Sequence, residues 1–326
     1  MTDTFGFLVF TLIIILLFEA VNGWTDAPNA IATVVSTRVL HPMAAVAMAA
    51  AFNLFGALSG TAVAATIGSG IVDIQAVTLE TVAASALAVI IWSTFAWYFG
   101  LPTSESHGLV AAIAGAGMAT AGVDALLWSG WQKVFTGLGA AVIAGALGGF
   151  LVMTLLLWLL RRSSSWLARR IFGPLQIFSA AFMAWSHGTA DGQKAMGVMA
   201  MALAIYYKRD FSVPIWVILL AATVMGLSTA LGGWRIIRTL GMRLTSLQPV
   251  HGFAAETSAA LTITVSARFG IPLSTTHTIG SAIMGVGATR RLSAVRWGIA
   301  QNIVMAWILT FPICFGLGWL LTLLIP

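Results

Sequence analysis

The chain has 326 residues, of which 59% are hydrophobic and only 8% charged. Soluble domains carry about 25% charged residues, so the composition excludes a soluble globular protein and indicates a polytopic helical membrane protein. The net charge of +6 comes from basic residues in short loops between apolar runs, with no aromatic-interleaved basic surface, which speaks against nucleic-acid binding and for the positive-inside rule.

Apolar runs recur in order along the chain: Phe5–Val21, Met43–Ile67, Val77–Leu101, Leu109–Val123, Val134–Leu160, Ile171–Trp185, Met196–Tyr207, Ile215–Leu231, Val250–Val265 and Ile299–Ile325. Several are long enough to cross a ~30 Å hydrocarbon layer, which takes about 20 helical residues. Others are shorter and end at Gly or Pro, the pattern of broken or re-entrant helices. The first run has no basic segment before it, carries Glu19 and leads into a polar phrase, so a mature span is expected rather than a cleaved signal. Cys314 is the single cysteine and lies in an apolar run, which rules out an internal disulfide or a cysteine metal cluster.

The polar phrase after the first run is NGWTDAPNA, residues 22–30, and it returns as HGTADGQKA, residues 187–195. A shift of 165 residues places Gly23 on Gly188, Asp26 on Asp191 and Ala30 on Ala195. A second pair, PTSESH from Pro102 to His107 and PLSTTH from Pro272 to His277, aligns at a shift of 170, and each hexad leads into a Gly/Ala-rich helix. Two motifs repeated in order at nearly one shift indicate an internal duplication. Residues 1–160 form the first repeat, the basic stretch Arg161–Arg170 is a cytoplasmic connector, and residues 171–326 form the second repeat.

Loop charges allow a parity test of the topology, whose outcome a full span in place of each hairpin would change. Each Asp phrase counts as one broken span, and each hexad as the tip of a hairpin that returns to its own side. With the connector inside, 11 of the 16 basic residues fall inside and 3 outside, while Lys194 and Arg268 fall within membrane segments. Both termini are then outside and the halves are inverted. The expected fold is an all-α polytopic membrane protein, an inverted structural repeat with broken helices and re-entrant hairpins. Such repeats place the substrate near the midplane.

A charge inside an apolar run is costly, so two carboxylates at matched positions mark a duplicated functional site. Asn22, Asp26 and Asn29 share one helix face, as do His187, Asp191 and Lys194. Gly23 and Gly188 are expected to let their helices unwind. The two carboxylates would face one cavity and bind cations, accept protons or accept hydrogen bonds from a protonated ligand; the bland alternative is that each only caps a helix break. Lys194 either neutralises Asp191 or faces an anion, and one lysine can do both. In the hexads, proline starts a break, and hydroxyls with free backbone N–H groups open the next helix, a geometry suited to anions. Ser104 and Ser274 also fit ordinary N-capping. His107 and His277 are either packing residues or proton-sensitive groups beside the site. Glu19, Glu80 and Glu256 are lesser candidates, Glu256 in the small-residue context AAETSAA. No HExxH, GxSxG or phosphate-loop motif is present, and an enzyme is not expected.

Gly23–Ala30 and Gly188–Ala195 resemble the two copies of the signature of the inorganic phosphate transporter (PiT) family. The stretches NGWTDAPNAIATVVSTRVLHP, SHGTADGQKAMG, QPVHGFAAETSAALTI and GIPLSTTHTIGSAIMGVGA are similar to its bacterial low-affinity members. The resemblance implies a phosphate symporter of the cytoplasmic membrane, usually a homodimer bathed in lipid. It implies essential roles for Asp26 and Asp191, and phosphate binding by Ser104, Ser106, Ser274, Thr275 and Thr276, to which we add Lys194 and Gln193. The coupling cation or proton falls to Asp26, Asp191, Asn22, Asn29 and Glu256, with His107, His277 and Thr25 as secondary residues. Asp26 and Asp191 are the possible metal ligands.

The sequence also departs from the family. The residue before each signature Asp is typically Asn in sodium-coupled relatives, whereas here it is Thr25 and Ala190. Na⁺ needs several oxygen ligands, so the departures favour H⁺ coupling, or uptake of a neutral complex of phosphate with a divalent metal such as Mg²⁺, over Na⁺. Pro28 and Glu105 depart as well. No cofactor is expected. The rival readings are a sodium-coupled phosphate symporter, a sulfate permease of the same fold, a passive channel and an intramembrane enzyme.

Overall fold

The computed structural model describes residues 4–325 and is all-helical. Twelve α-helices run in order: α1 (Phe5–Ser36), α2 (Pro42–Ala57), α3 (Ala62–Ser69), α4 (Leu79–Tyr98), α5 (Glu105–Ala121), α6 (Trp128–Leu159), α7 (Ser165–Tyr207), α8 (Ile215–Thr229), α9 (Trp234–Ile237), α10 (Pro249–Arg268), α11 (Thr275–Ala288) and α12 (Trp297–Leu324). α9 continues into a π-helical turn, Arg238–Arg243. Among the described residues the one β feature is an isolated antiparallel bridge between Val72 and Leu126.

α1, α4, α6 and α12 are long and apolar enough to cross a membrane. Two further spans are bent: α2 meets α3 at 72°, and α8 meets the α9 segment at 61°. The bends fall where the helix pattern lapses. Ser59 and Gly60 separate α2 from α3, and Gly232, with φ +61°, separates α8 from α9. Prolines open α2 and α10 at the first helical position, where the missing N–H costs nothing. On α6, Ile143, Leu147, Leu151 and Leu155 form an outward apolar stripe at helical spacing, as a lipid-facing helix requires.

The helix order repeats. A long helix, a bent pair, a two-helix hairpin and a final long helix make up α1–α6, and the same series makes up α7–α12. The terminal helices are exchanged in packing: α6 lies along α11 and α10, and α12 lies along α5 and α4. The two hairpin tips meet inside the protein, where the Ser106 hydroxyl donates to the Leu273 carbonyl at 3.2 Å.

The helices carrying the Asp phrases do not break. α1 runs for 32 residues through Asp26, and α7 for 43 residues through Asp191, merging two expected runs. The connector is half helical, because Ser164 caps α7 through the Leu167 N–H. Gly23 and Gly188 serve close packing rather than unwinding. A β-carbon on Gly23 would sit 1.8 Å from the Ser228 hydroxyl oxygen, and one on Gly188 would sit 2.1 Å from the Asn53 carbonyl oxygen. A contact to backbone cannot be relieved by a rotamer change, so Gly188→Leu should force α7 off α2. The expected loss is about 1–3 kcal/mol or more, read as a lower midpoint of thermal unfolding in detergent.

Candidate functional site

Two unbroken helices and two helix starts build the site. α1 contributes Glu19, Asn22, Thr25, Asp26 and Asn29; α7 contributes His187, Asp191 and Lys194. α5 and α11 point their first turns at these faces with Glu105, Thr275 and Thr276. All of these side chains are buried.

The hexads place the first turns. Ser104 accepts from the His107 N–H at 3.2 Å, and Ser274 from the His277 N–H at 3.1 Å. Both serines are therefore N-caps, and the bland reading of them describes this geometry. The next residues reach the carboxylates. Thr276 donates to Asp26 Oδ1 at 3.1 Å, and Thr275 donates to Asp191 Oδ2 at 3.2 Å. Asn29 donates to both threonines, at 3.3 and 2.9 Å. One helix start thus joins the two signature carboxylates.

Asp191 is the hub on α7. Lys194 Nζ lies 3.0 Å from its Oδ2, and His187 Nε2 lies 3.1 Å from the same oxygen. The other nitrogen of His187 faces Asn53 Oδ1 at 3.1 Å, and Asn53 in turn donates to Thr229. Lys194 also reaches Asn22 at 3.5 Å, and Asn22 donates to Glu19 at 3.2 Å. Neutralisation of Asp191 by Lys194 is therefore met in this geometry.

Glu105, which breaks the hydroxyl pattern of its hexad, accepts from Thr25 at 2.9 Å. Thr25 breaks the signature pattern in the other motif, so the two departures touch. Five buried acceptor oxygens in this cluster have no donor: Asp26 Oδ2, Asp191 Oδ1, Glu105 Oε2, Glu19 Oε1 and Asn29 Oδ1. Acceptors without donors suit protons or a hard cation. Ligand atoms of Asp26, His187 and Asp191 lie within 4.8 Å of one another, close enough to share one ion.

Other expected residues lie elsewhere. Gln193 points away from the hexads and accepts from the Val63 and Ala64 N–H groups at the start of α3, at 2.8 and 3.3 Å. Ser106 ties the hairpin tips together. The His107 and His277 rings meet edge to face at 4.7 Å, His107 stacks on Phe311 and His277 lies tilted against Trp307, with no hydrogen-bond partner for the ring nitrogens among the described residues. Glu256 heads a separate polar cluster, accepting from Thr33, Ser179 and Gln176. Sequence reasoning gave no site role to Glu105, His187 or Asn53. His187 shares a face with Asp191, and Asn53 is a lone amide in the run AAAFNLFGA, so both carried a signal.

Removing one partner of a buried ion pair leaves an uncompensated charge, which costs roughly 3–5 kcal/mol. Asp191→Leu should therefore destabilise the protein strongly, and Asp191→Leu with Lys194→Met should recover much of the loss. Thermal unfolding of the two variants checks this.

Comparisons with known proteins place the chain in a family. Residues 22–318 match the Phosphate transporter family. A protein of Rhizobium meliloti (strain 1021) named a probable low-affinity inorganic phosphate transporter is 43% identical over 317 residues, covering 95% of this chain and 94% of the relative. A protein of the same name from Bacillus subtilis (strain 168) is 40% identical over 320 residues, covering 95% and 96%. Among solved structures, one titled "The sodium-dependent phosphate transporter" superposes with a TM-score of 0.90 at 21% identity, over 97% of this chain and 98% of that one, which shows a shared fold. The chain belongs to the phosphate transporter family, a family of transporters and not of enzymes.

Proposed function

We propose that this member of the phosphate transporter family is a secondary active symporter that imports inorganic phosphate across the cytoplasmic membrane. The coupling ion is H⁺, carried as such or replaced by a divalent metal travelling with phosphate as a neutral complex. The observation that carries the reading is the composition of the buried cluster. Asp26, Asp191, Glu105 and Glu19 face a single lysine, Lys194, and five of the cluster's acceptor oxygens lack a donor. With every carboxyl ionised, an oxyanion is repelled; protons or a metal cation must enter for phosphate to bind. Anion and cation binding are then linked, and linkage is reciprocal.

The parts divide accordingly. Thr275 and Thr276, the N–H groups at the start of α11 and Lys194 hold the oxyanion. Each threonine hydroxyl now donates to a signature carboxylate, and protonating that carboxylate frees the hydroxyl to donate to phosphate. An oxygen of the Asp26 carboxyl accepts a hydrogen bond from the proton that phosphate still carries near neutral pH and sulfate lacks, which discriminates between the two anions. The solved relative is titled sodium-dependent. Against sodium here stand Thr25 and Ala190 at the positions where sodium-coupled relatives typically carry Asn, and the carboxyl of Glu105 against Thr25.

The repeated helix order and the loop charges support inverted halves with both termini outside, and the matched helices α1 and α7 support alternating access by one repeat moving against the other. A homodimer is expected from the family resemblance.

In proteoliposomes, an imposed inward proton gradient should drive uphill uptake of radiolabelled phosphate without Na⁺. Uptake that only follows the phosphate gradient, or that requires Na⁺, would overturn proton symport. Asp26→Asn and Asp191→Asn should each abolish coupled uptake, and a hundredfold excess of sulfate should leave phosphate uptake within about twofold of control if carboxylate acceptance sets selectivity.

A further inference from the structure

Two residues before each hexad stands a glycine in the left-handed region, Gly100 (φ +69°) and Gly270 (φ +64°), and each carbonyl accepts from a threonine of the bent span of the other half. Thr66 on α3 donates to Gly270 at 2.7 Å, and Thr239 in the turn after α9 donates to Gly100 at 2.8 Å. The two joints match in construction and differ in surroundings. Beside Gly100, the Arg235 guanidinium lies over the Tyr98 and Trp97 rings at 4.7 and 5.2 Å and donates to the Tyr98 carbonyl, so its charge is committed to aromatic faces. Beside Gly270 there is a cavity of about 460 Å³, lined by Lys133, Arg268, Thr66, Ser69 and Ser129 among others. The position of Tyr98 in the first joint is that of Arg268 in the second, at the hexad shift of 170 residues.

This cavity has a definite character. Its described lining carries two cations and no carboxylate; Asp73 and Asp210 line a neighbouring cavity beyond Ser69, together with Arg209. Lys133 and Arg268 are exposed, and Lys133 Nζ reaches the Thr66 hydroxyl at 3.5 Å. The volume equals roughly fifteen waters at ~30 Å³ each, enough for a hydrated tetrahedral anion. The cavity is also tied to the site. Its lining runs the length of α3, from Ala62 to Ser69, and includes Gly270, five residues before Thr275; the first N–H groups of α3 are held by Gln193, the neighbour of Lys194. At 1.5 Å per residue, eight-residue α3 is about 12 Å long.

We propose that the Lys133–Arg268 cavity is a vestibule that captures the phosphate oxyanion before it reaches the threonines of α11. The inference rests on the reading that this protein transports phosphate. Two cations lining one cavity raise the local anion concentration and the rate of capture, and they do so less as ionic strength rises. Under the loop-charge topology Lys133 lies on the outer side, from which phosphate is imported, and Arg268 lies within the membrane segments.

Two measurements test it. In neutral-lipid proteoliposomes, Lys133→Gln with Arg268→Gln should raise the KM for phosphate about tenfold while kcat holds, and should flatten its salt dependence. Lys133→Arg with Arg268→Lys should restore both. An unchanged KM and salt slope overturns the vestibule. Independently of transport, Ser129→Cys can be labelled in nanodiscs, because the single native cysteine, Cys314, is buried. A negatively charged thiosulfonate should react several-fold faster than a positively charged one, the preference should vanish with the double Gln variant, and phosphate should slow the labelling. Protection by anionic lipid but not by phosphate would assign the cavity to a lipid headgroup and overturn the proposal. If the unmodified protein moves no phosphate, the functional reading fails, while the labelling ratio and phosphate protection still decide whether the cavity binds the anion.

Discussion

A lysine buried in the middle of a membrane protein cannot stand alone, and the site is organised around what satisfies Lys194. Its ammonium rests on Asp191, which also faces His187 and accepts from Thr275. Thr275 belongs to the first turn of α11, and its neighbour Thr276 carries the network on to Asp26 of α1. One ion pair therefore fixes the rotation of α7, the docking of a hairpin tip and, through it, the face that α1 presents. A buried charge is expensive to leave unpaired, which makes the helix starts around it hard to move one at a time. The polar chain extends from Lys194 to Asn22 and Glu19, and its far branch ends at Asn53 and Thr229 on the bent spans.

Much of this was legible in the sequence, because duplication leaves a spacing that survives without coordinates. The phrases around Asp26 and Asp191 and the hexads at Pro102 and Pro272 identified the helices and helix starts that meet, and the apolar runs identified most of the helices. What remained hidden depended on side chains choosing partners across long separations. Thr25 and Glu105 each read as an isolated departure, and only the fold brings them to 2.9 Å. Glu256 reads like a third site carboxylate, yet Thr33, Gln176 and Ser179 satisfy it apart from the others. The glycines of the Asp phrases suggested unwinding because a glycine is permissive in both backbone and bulk. Packing against Ser228 and Asn53 uses the second property and leaves the first unused.

The halves are matched in helix order and unmatched in chemistry. The second hexad offers hydroxyls to both signature carboxylates, while the first offers a carboxyl to Thr25 and a hydroxyl to a backbone carbonyl. The glycine joints differ in the same way, one with a guanidinium committed to aromatic rings and the other with two exposed cations around a cavity. A duplicated scaffold thus carries a site whose two sides differ in chemistry.

The exchange of terminal helices has a consequence for how the chain is made. α5 gains α4 at once, but its other long partner, α12, is made only after α6 to α11. Until then the face of α5 that will meet α12 has no protein to cover it, and its first turn holds an acidic residue bound for the interior. The first half therefore leaves the ribosome incomplete and is finished by the end of the second. Loss of α12 should strike the hairpin tip of the first half before anything in its own neighbourhood, because closing contacts between chain-distant helices form late in folding.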